Sequence, residues 1–186
     1  MTVPPLIRRW LLPAICALCL LAGLSAGRAQ DSVSREYQIK AAFLYNFAKF
    51  VQWPADSFTN AQAPLVIGVL GRNPFGHELE AIALNHKING RNIVIKAVAT
   101  PAGAATVHLL FVSAEEDDLL PETFAALQHR AVLTVGESDK FTAAGGMIVF
   151  VPRGDKVRFA INEAAAEQHG LKISAQLLKL ARPLPK

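Results

Sequence analysis

From Tyr37 to Val51 the apolar residues recur with a helical period. At about 100° per residue, Arg35, Gln38, Asn46, Lys49 and Gln52 fall in one sector. Ile39, Ala41, Phe43, Leu44, Phe47, Ala48, Phe50 and Val51 spread over most of the rest. Ser34 stands where an N-cap is needed, and Glu36 lies in the first turn, where a carboxylate meets the helix dipole favourably. Glu36 and Lys40 are four apart in the favourable order, on the side away from the other polar residues. Trp53-Pro54 ends the helix, because the residue before proline avoids the α region. So wide an apolar face exceeds what a surface helix requires. It predicts a helix sandwiched between two layers, or one that offers part of its face to a partner.

Short runs rich in Val, Ile, Leu and Phe follow: Leu65–Leu70, Ile93–Val98, Val107–Val112, Val132–Val135, Met147–Val151 and Val157–Ile161. Helical pieces lie between them at Phe75–Leu84, Glu116–Gln128 and Ser138–Ala143. This alternation predicts a single three-layer α/β domain, a mostly parallel sheet of about six strands with helices on both faces. The near-continuous apolarity of Leu65–Leu70 and Leu109–Val112 fits strands covered on both sides. Pro152-Arg153-Gly154-Asp155-Lys156 is too short for a crossover, so the last two strands form a C-terminal antiparallel hairpin. Two helices close the chain, Glu163–His169 capped by Asn162 and stopped by Gly170, and Ala175–Ala181 capped by Ser174 before Pro183.

Composition changes the picture chiefly at the N-terminus. The chain has 186 residues, of which 52% are apolar and 18% charged. Residues 1–29 contain Arg8, Arg9 and Arg28 but no acid, an apolar run from Leu11 to Leu24, and small residues before Gln30. That is the three-part pattern of a cleaved secretory signal peptide, and the run is short of the ~20 residues that span a bilayer. The remainder, residues 30–186, is expected to be an exported domain that does not itself span the membrane. Of the 19 Lys+Arg, three lie in this leader with none of the 15 Asp+Glu. The exported chain is therefore nearly neutral, which argues against nucleic-acid binding. Both cysteines, Cys16 and Cys19, also lie in the leader, so thiolate catalysis, Cys-based metal sites and disulfides are excluded from the exported part.

The remaining residues offer little chemistry. Gly71-Arg72-Asn73-Pro74-Phe75-Gly76 joins a strand to a helix, a place where α/β sheets bind ligands. Its glycine spacing is neither a dinucleotide fingerprint nor a P-loop, so an ordinary tight turn is the reading. None of His77, His86, His108, His129 and His169 stands at metal-ligand spacing from another, and no cofactor or metal is expected. His108 lies in an apolar strand and reads as a satisfied interior imidazole. Ser113-Ala114-Glu115-Glu116 has capping-box spacing, and the acidic run Glu115–Asp118 reads as a solvated first turn. Arg153, Lys156 and Arg158 cluster on the hairpin. Arg72, Arg153 and Arg158 are the candidate anion or ligand-binding residues. An enzyme using Glu78 or Glu163 with a histidine is a weaker reading, since no catalytic residues are assembled in the sequence.

The segment Glu36–Pro54, with Tyr37-Gln38-Ile39-Lys40-Ala41-Ala42-Phe43-Leu44-Tyr45-Asn46-Phe47 at its centre, resembles the opening signature of the YfiR family of periplasmic proteins. Gly146–Val151, Arg158-Phe159-Ala160-Ile161-Asn162 and Gly170–Ala181 are similar to that family too. The resemblance implies a small α/β periplasmic regulator, often dimeric, without catalytic residues or cofactor. It implies as partner an inner-membrane signalling protein, a diguanylate cyclase or a sensor kinase, which the regulator binds on its periplasmic part and holds in a low-activity state. The family pattern often shows Cys at the positions that here hold Gly68 and Val107, so redox sensing through that bond has no basis in this chain. Phe43, Phe47 and Phe50, with Leu177, Leu178 and Leu180, are the residues expected to pack or to meet a partner or second copy. The alternative expectation is a periplasmic sensor of a nucleotide or other anion, acting on another membrane receptor or kinase.

Overall fold

A computed structural model describes residues 35–153 and 156–184. The chain divides into residues 1–37 and 38–186; the predicted leader and the Ser34 cap lie outside the described residues. The expected α/β architecture is present. Helix α1 (residues 35–50) runs into β1 (Val51–Gln52), followed by β2 (Leu65–Leu70), α2 (Glu78–Asn85), β3 (Lys87–Ile88) and β4 (Arg91–Val98). Then come β5 (Leu109–Val112), α3 (Leu120–Ala126), β6 (Leu133–Gly136), α4 (Asp139–Ala143), β7 (Ile148–Arg153) and β8 (Lys156–Ile161). The chain closes with α5 (Glu163–Gln168), β9 (Lys172–Ile173) and α6 (Ala175–Leu178).

Seven strands form one sheet in the order β3-β4-β2-β5-β6-β7-β8, while β1 and β9 pair separately. Strands β4, β2, β5, β6 and β7 are mutually parallel, and β8 returns antiparallel to β7 with Arg153 opposite Lys156. The chain leaves β2 toward β4 on one side and then crosses to β5 on the other. The carboxyl ends of β2 and β5 therefore flank the point where the strand order reverses, the usual crevice of such sheets.

Because successive strand residues point to opposite faces and residues in register on adjacent strands share one, two cores result. One holds Leu70, Val98, Leu110, Val112, Val149 and Ala160 from the strands with Leu120, Leu127 and Phe141 from the helices. The other holds the odd-numbered partners Ile67 and Val69 with Phe111, Ile148, Phe150 and Phe159, against Leu44 and Phe47 of α1. Along α1 and into β1 the predicted polar sector is the outer one, with Arg35, Gln38, Lys49 and Gln52 exposed and Asn46 half-buried; Ala41, Leu44, Phe47, Ala48 and Val51 are buried, while Ile39, expected on the apolar side, is exposed.

Three local expectations shift. Helix α2 begins at Glu78 rather than near Phe75, since Asn73 Oδ1 accepts from Phe75 N and turns the chain first. The Ser113 hydroxyl makes no cap bond; instead residues Ala114–Leu119 form a 3-10 turn, and α3 starts at Leu120 with Pro121 in its first turn. The hairpin β3–β4 is an element the apolar pattern did not reveal. Asn89 (φ 50°) and Gly90 (φ 81°) make its two-residue loop, and Asn-Gly is the dipeptide that tolerates positive φ at both places. By contrast Asn162 and Ser174 cap their helices as expected, accepting from Ala165 N and Leu177 N at 3.1 and 3.2 Å, and Ser138, expected as the first residue of a helix, is the cap of α4, accepting from Phe141 N at 3.0 Å.

Candidate functional site

Helix α1 meets β7 and β8 through four phenylalanines. Phe47 lies edge-on to Phe159 at 4.9 Å and tilted against Phe150 at 5.7 Å, and Phe43 lies edge-on to Phe159 at 5.4 Å. Such geometries add about 0.5–1.5 kcal/mol per pair beyond area burial. Phe47 and Leu177 are 0% and 2% exposed, so both serve packing and are closed to a partner. Phe43, Phe50 and Leu178 are half-buried, and Leu180 is 63% exposed. The backbone brings the two candidate groups to one corner. Ser174 N donates to the Phe50 carbonyl at 3.0 Å, and Val51 pairs with Ile173. The end of α1 and the start of α6 thus share an edge whose most exposed large apolar residue is Leu180.

The loops at the carboxyl ends of the parallel strands carry a set of charges. Lys40 of α1 donates to Glu137 Oε2 at 2.6 Å, both side chains nearly buried at 7% and 10% exposure. The ammonium also lies 5.6 Å from the Phe150 ring centre. Arg72 pairs with Glu115 in the open, and the Glu116 side chain fills the space a Cβ on Gly71 would need. Ser138, which caps α4, also donates to Asp117 Oδ1 at 2.6 Å, and Lys140 stands 3.7 Å from Asp118. The acidic run is therefore not merely a solvated turn, the reading given above; it ties the β2, β5 and β6 loops together. Lys40 was visible in the sequence as the one cation on the apolar side of α1, but its partner, 97 residues away, was not.

Arg72 is engaged by Glu115, whereas Arg158 is half-buried on β8, four strands from β2 in the sheet. At the usual strand spacing this is about 19 Å, so a single small ligand does not reach both. Arg153 ends β7 and its side chain lies outside the described residues. Glu78 accepts from Gln38 Nε2 at 3.0 Å, and Glu163 is exposed in the first turn of α5. Among the described residues no three His, Cys, Asp or Glu side chains are grouped to hold a metal ion.

His108 has both ring nitrogens occupied. Nδ1 accepts from Val66 N at 3.0 Å and Nε2 faces the Ser57 carbonyl at 3.0 Å, an arrangement that fits the neutral Nε2–H form. Burial pushes its pKa below the usual value, and the nearby Arg91 charge adds to this against the opposing Ser57 carbonyl. Its ring stacks on Phe58 at 4.4 Å, and the Arg91 guanidinium covers Phe58 at 3.8 Å. Arg91 also donates to the carbonyls of Asn60 and Ala63 at 2.9 and 2.8 Å. Beside this stack lies a cleft of about 330 Å³ lined by Gln52, Trp53, Phe58, Ile88, Asn89 and Arg91, among others.

Gly68 and Val107, the positions that the family pattern gives to cysteine, are in contact. A Cβ on Gly68 would lie 2.8 Å from one Val107 methyl and 2.9 Å from a Val98 methyl. Valine methyls fill the room a bridge would occupy.

Residues 37–182 match a protein-family model described as YfiR/HmsC-like. No protein with a curated description matches significantly. Among solved structures, one described as a conserved domain protein from Vibrio cholerae O1 biovar El Tor is 15% identical with a TM-score of 0.48, over 63% of this chain. The match spans about half of that structure's own length, 54%.

Proposed function

Because this chain belongs to the YfiR/HmsC-like family, we propose that it is an exported regulatory protein that docks on the periplasmic part of an inner-membrane diguanylate cyclase and lowers cyclic-di-GMP output. The family match over residues 37–182 carries this reading. It supports a regulatory rather than a catalytic role, and among the described residues no helix is long and apolar enough to cross a membrane. The α1–α6 corner is the docking face, with Leu180 as its apolar contact and the half-buried Phe50 and Leu178 beside it. Binding there would favour the inactive state of the enzyme by differential affinity for its two conformations.

Deletion of the gene, followed by measurement of cyclic-di-GMP, tests the role. A rise reversed by the wild-type chain is expected. Leu180→Glu changes an exposed position, so it should fold normally and fail to restore the low level. Unchanged cyclic-di-GMP in the deletion strain would remove the main support for this reading.

A further inference from the structure

Asn89-Gly90 is the one place in the chain where glycine follows asparagine. The pair makes the two-residue loop of the β3–β4 hairpin, and both residues are exposed. Among the described residues neither the Asn89 side-chain amide nor Gly90 N makes a hydrogen bond. Gly90 has no side chain to shield its nitrogen, so Asn89 Cγ and Gly90 N can meet in a five-membered ring. The other asparagines lack this combination. Asn46 and Asn85 donate to the Ala42 and Ala81 carbonyls at 2.9 and 2.8 Å. Asn60 Oδ1 and Asn162 Oδ1 accept from Gln62 N and Ala165 N. Asn73 precedes Pro74, which has no N–H to react, and Asn92 precedes the β-branched Ile93 within β4.

We propose that Asn89 is a self-modifying site that loses its side-chain amide by hydrolysis, with water as the only co-reactant. Gly90 N attacks Asn89 Cγ. The N–Cγ bond forms, the Cγ–Nδ2 bond breaks, and Nδ2 leaves as ammonia with the Gly90 amide proton. Water then opens the resulting succinimide. Addition at Cγ gives aspartate; addition at the Asn89 main-chain carbonyl gives isoaspartate, in which the main chain runs through Cβ and Cγ. Ring closure requires the turn, held at positive φ, to open, and opening is easy here. Strand β3 has two residues, lies at the edge of the sheet and pairs only with Arg91 and Asn92, which places the hairpin tip at the low-stability end of the fold. The product carries a new carboxylate in the cleft of about 330 Å³ that Asn89 shares with Arg91. Arg91 Nη1 holds the Asn60 and Ala63 carbonyls, and its guanidinium covers Phe58. The added carboxylate competes for that guanidinium, and the longer isoaspartyl main chain no longer fits a two-residue loop. Modification thus loosens residues 58–63 from the hairpin.

Purified protein held in mildly alkaline buffer, then digested and analysed by mass spectrometry, tests this. The peptide containing Asn89 should gain the mass of one amide-to-acid exchange, as two chromatographically separate products, ahead of every other asparagine. Asn89→Gln should abolish the change, and Gly90→Ala should slow it. The isoaspartyl fraction, separated by chromatography, should melt below both the unmodified protein and Asn89→Asp, which carries the charge without the longer main chain. Should either of the first two variants fail to fold, wild type held in urea supplies the rate of the open chain for comparison. Conversion in urea but not in the folded protein would overturn the proposal, because the hairpin would then protect the pair. So would faster conversion at another asparagine, an unslowed Gly90→Ala, or an isoaspartyl fraction as stable as the unmodified protein.

Discussion

The two ends of α1 reach the same sheet by opposite means. Toward its middle and C-terminus, Phe43 and Phe47 close on Phe150 and Phe159 through ring contacts. At its N-terminal turn, Lys40 reaches across to Glu137, and charged loops from β2, β5 and β6 gather nearby. The first contact needs only apolar volume at roughly the right place. The second needs two particular groups, because a buried charge left alone is costly. The seam is therefore tolerant of conservative change and intolerant of deletion, whereas the ion pair is intolerant of any change made to one partner only.

Phe47→Ala should show the largest effect, about 3–5 kcal/mol lost in urea unfolding, since a fully buried ring would leave a cavity beside Phe150 and Phe159. Glu137→Ala should cost about 3 kcal/mol by the same measurement, because it removes the carboxylate paired with the nearly buried Lys40 ammonium. Lys40→Met together with Glu137→Leu should recover most of that loss; a double variant as unstable as the single one would show that the pair is not the unit. Gly68→Ala should cost about 1–3 kcal/mol by overpacking Val107 and Val98.

His108 makes stability depend on pH. Its folded pKa lies below the unfolded value of 6.5, so the unfolded chain binds more protons as pH falls. Its contribution is complete above about 6.5 and is lost as pH falls toward the lower folded value. Melting temperature should decline from neutral to mildly acidic pH, and His108→Gln should reduce that slope. Arg72→Ala, which removes an exposed pair, should change stability by no more than ~1 kcal/mol.

The contrast also separates what was legible in the sequence. Runs such as Leu65–Leu70 and Leu109–Val112 fixed their strands because burial on both faces needs continuous apolarity, and Asn162 and Ser174 fixed helix starts through local bonds. The period of α1 located Phe47 in the core. The acidic run Glu115–Asp118 is solvated at Glu115 and Asp118 as its pattern predicts, but its partners Arg72, Ser138 and Lys140 come from distant loops, and no local rule selects them. The β3–β4 hairpin was missed although Asn89-Gly90 announced it, because its strand Lys87–Ile88 is too short to show a period. Arg72 and Arg158 share a candidate ligand role in the sequence, and only the strand order puts them four strands apart.

Trp53 is the only tryptophan among the described residues, and its indole N–H donates to the His108 carbonyl at 3.3 Å where β5 begins. With Trp10 in the predicted leader, the chain that follows it has a single tryptophan, seated beside the Phe58–His108–Arg91 stack. Its emission should shift when that corner opens or takes up a ligand, giving an optical readout that needs no label.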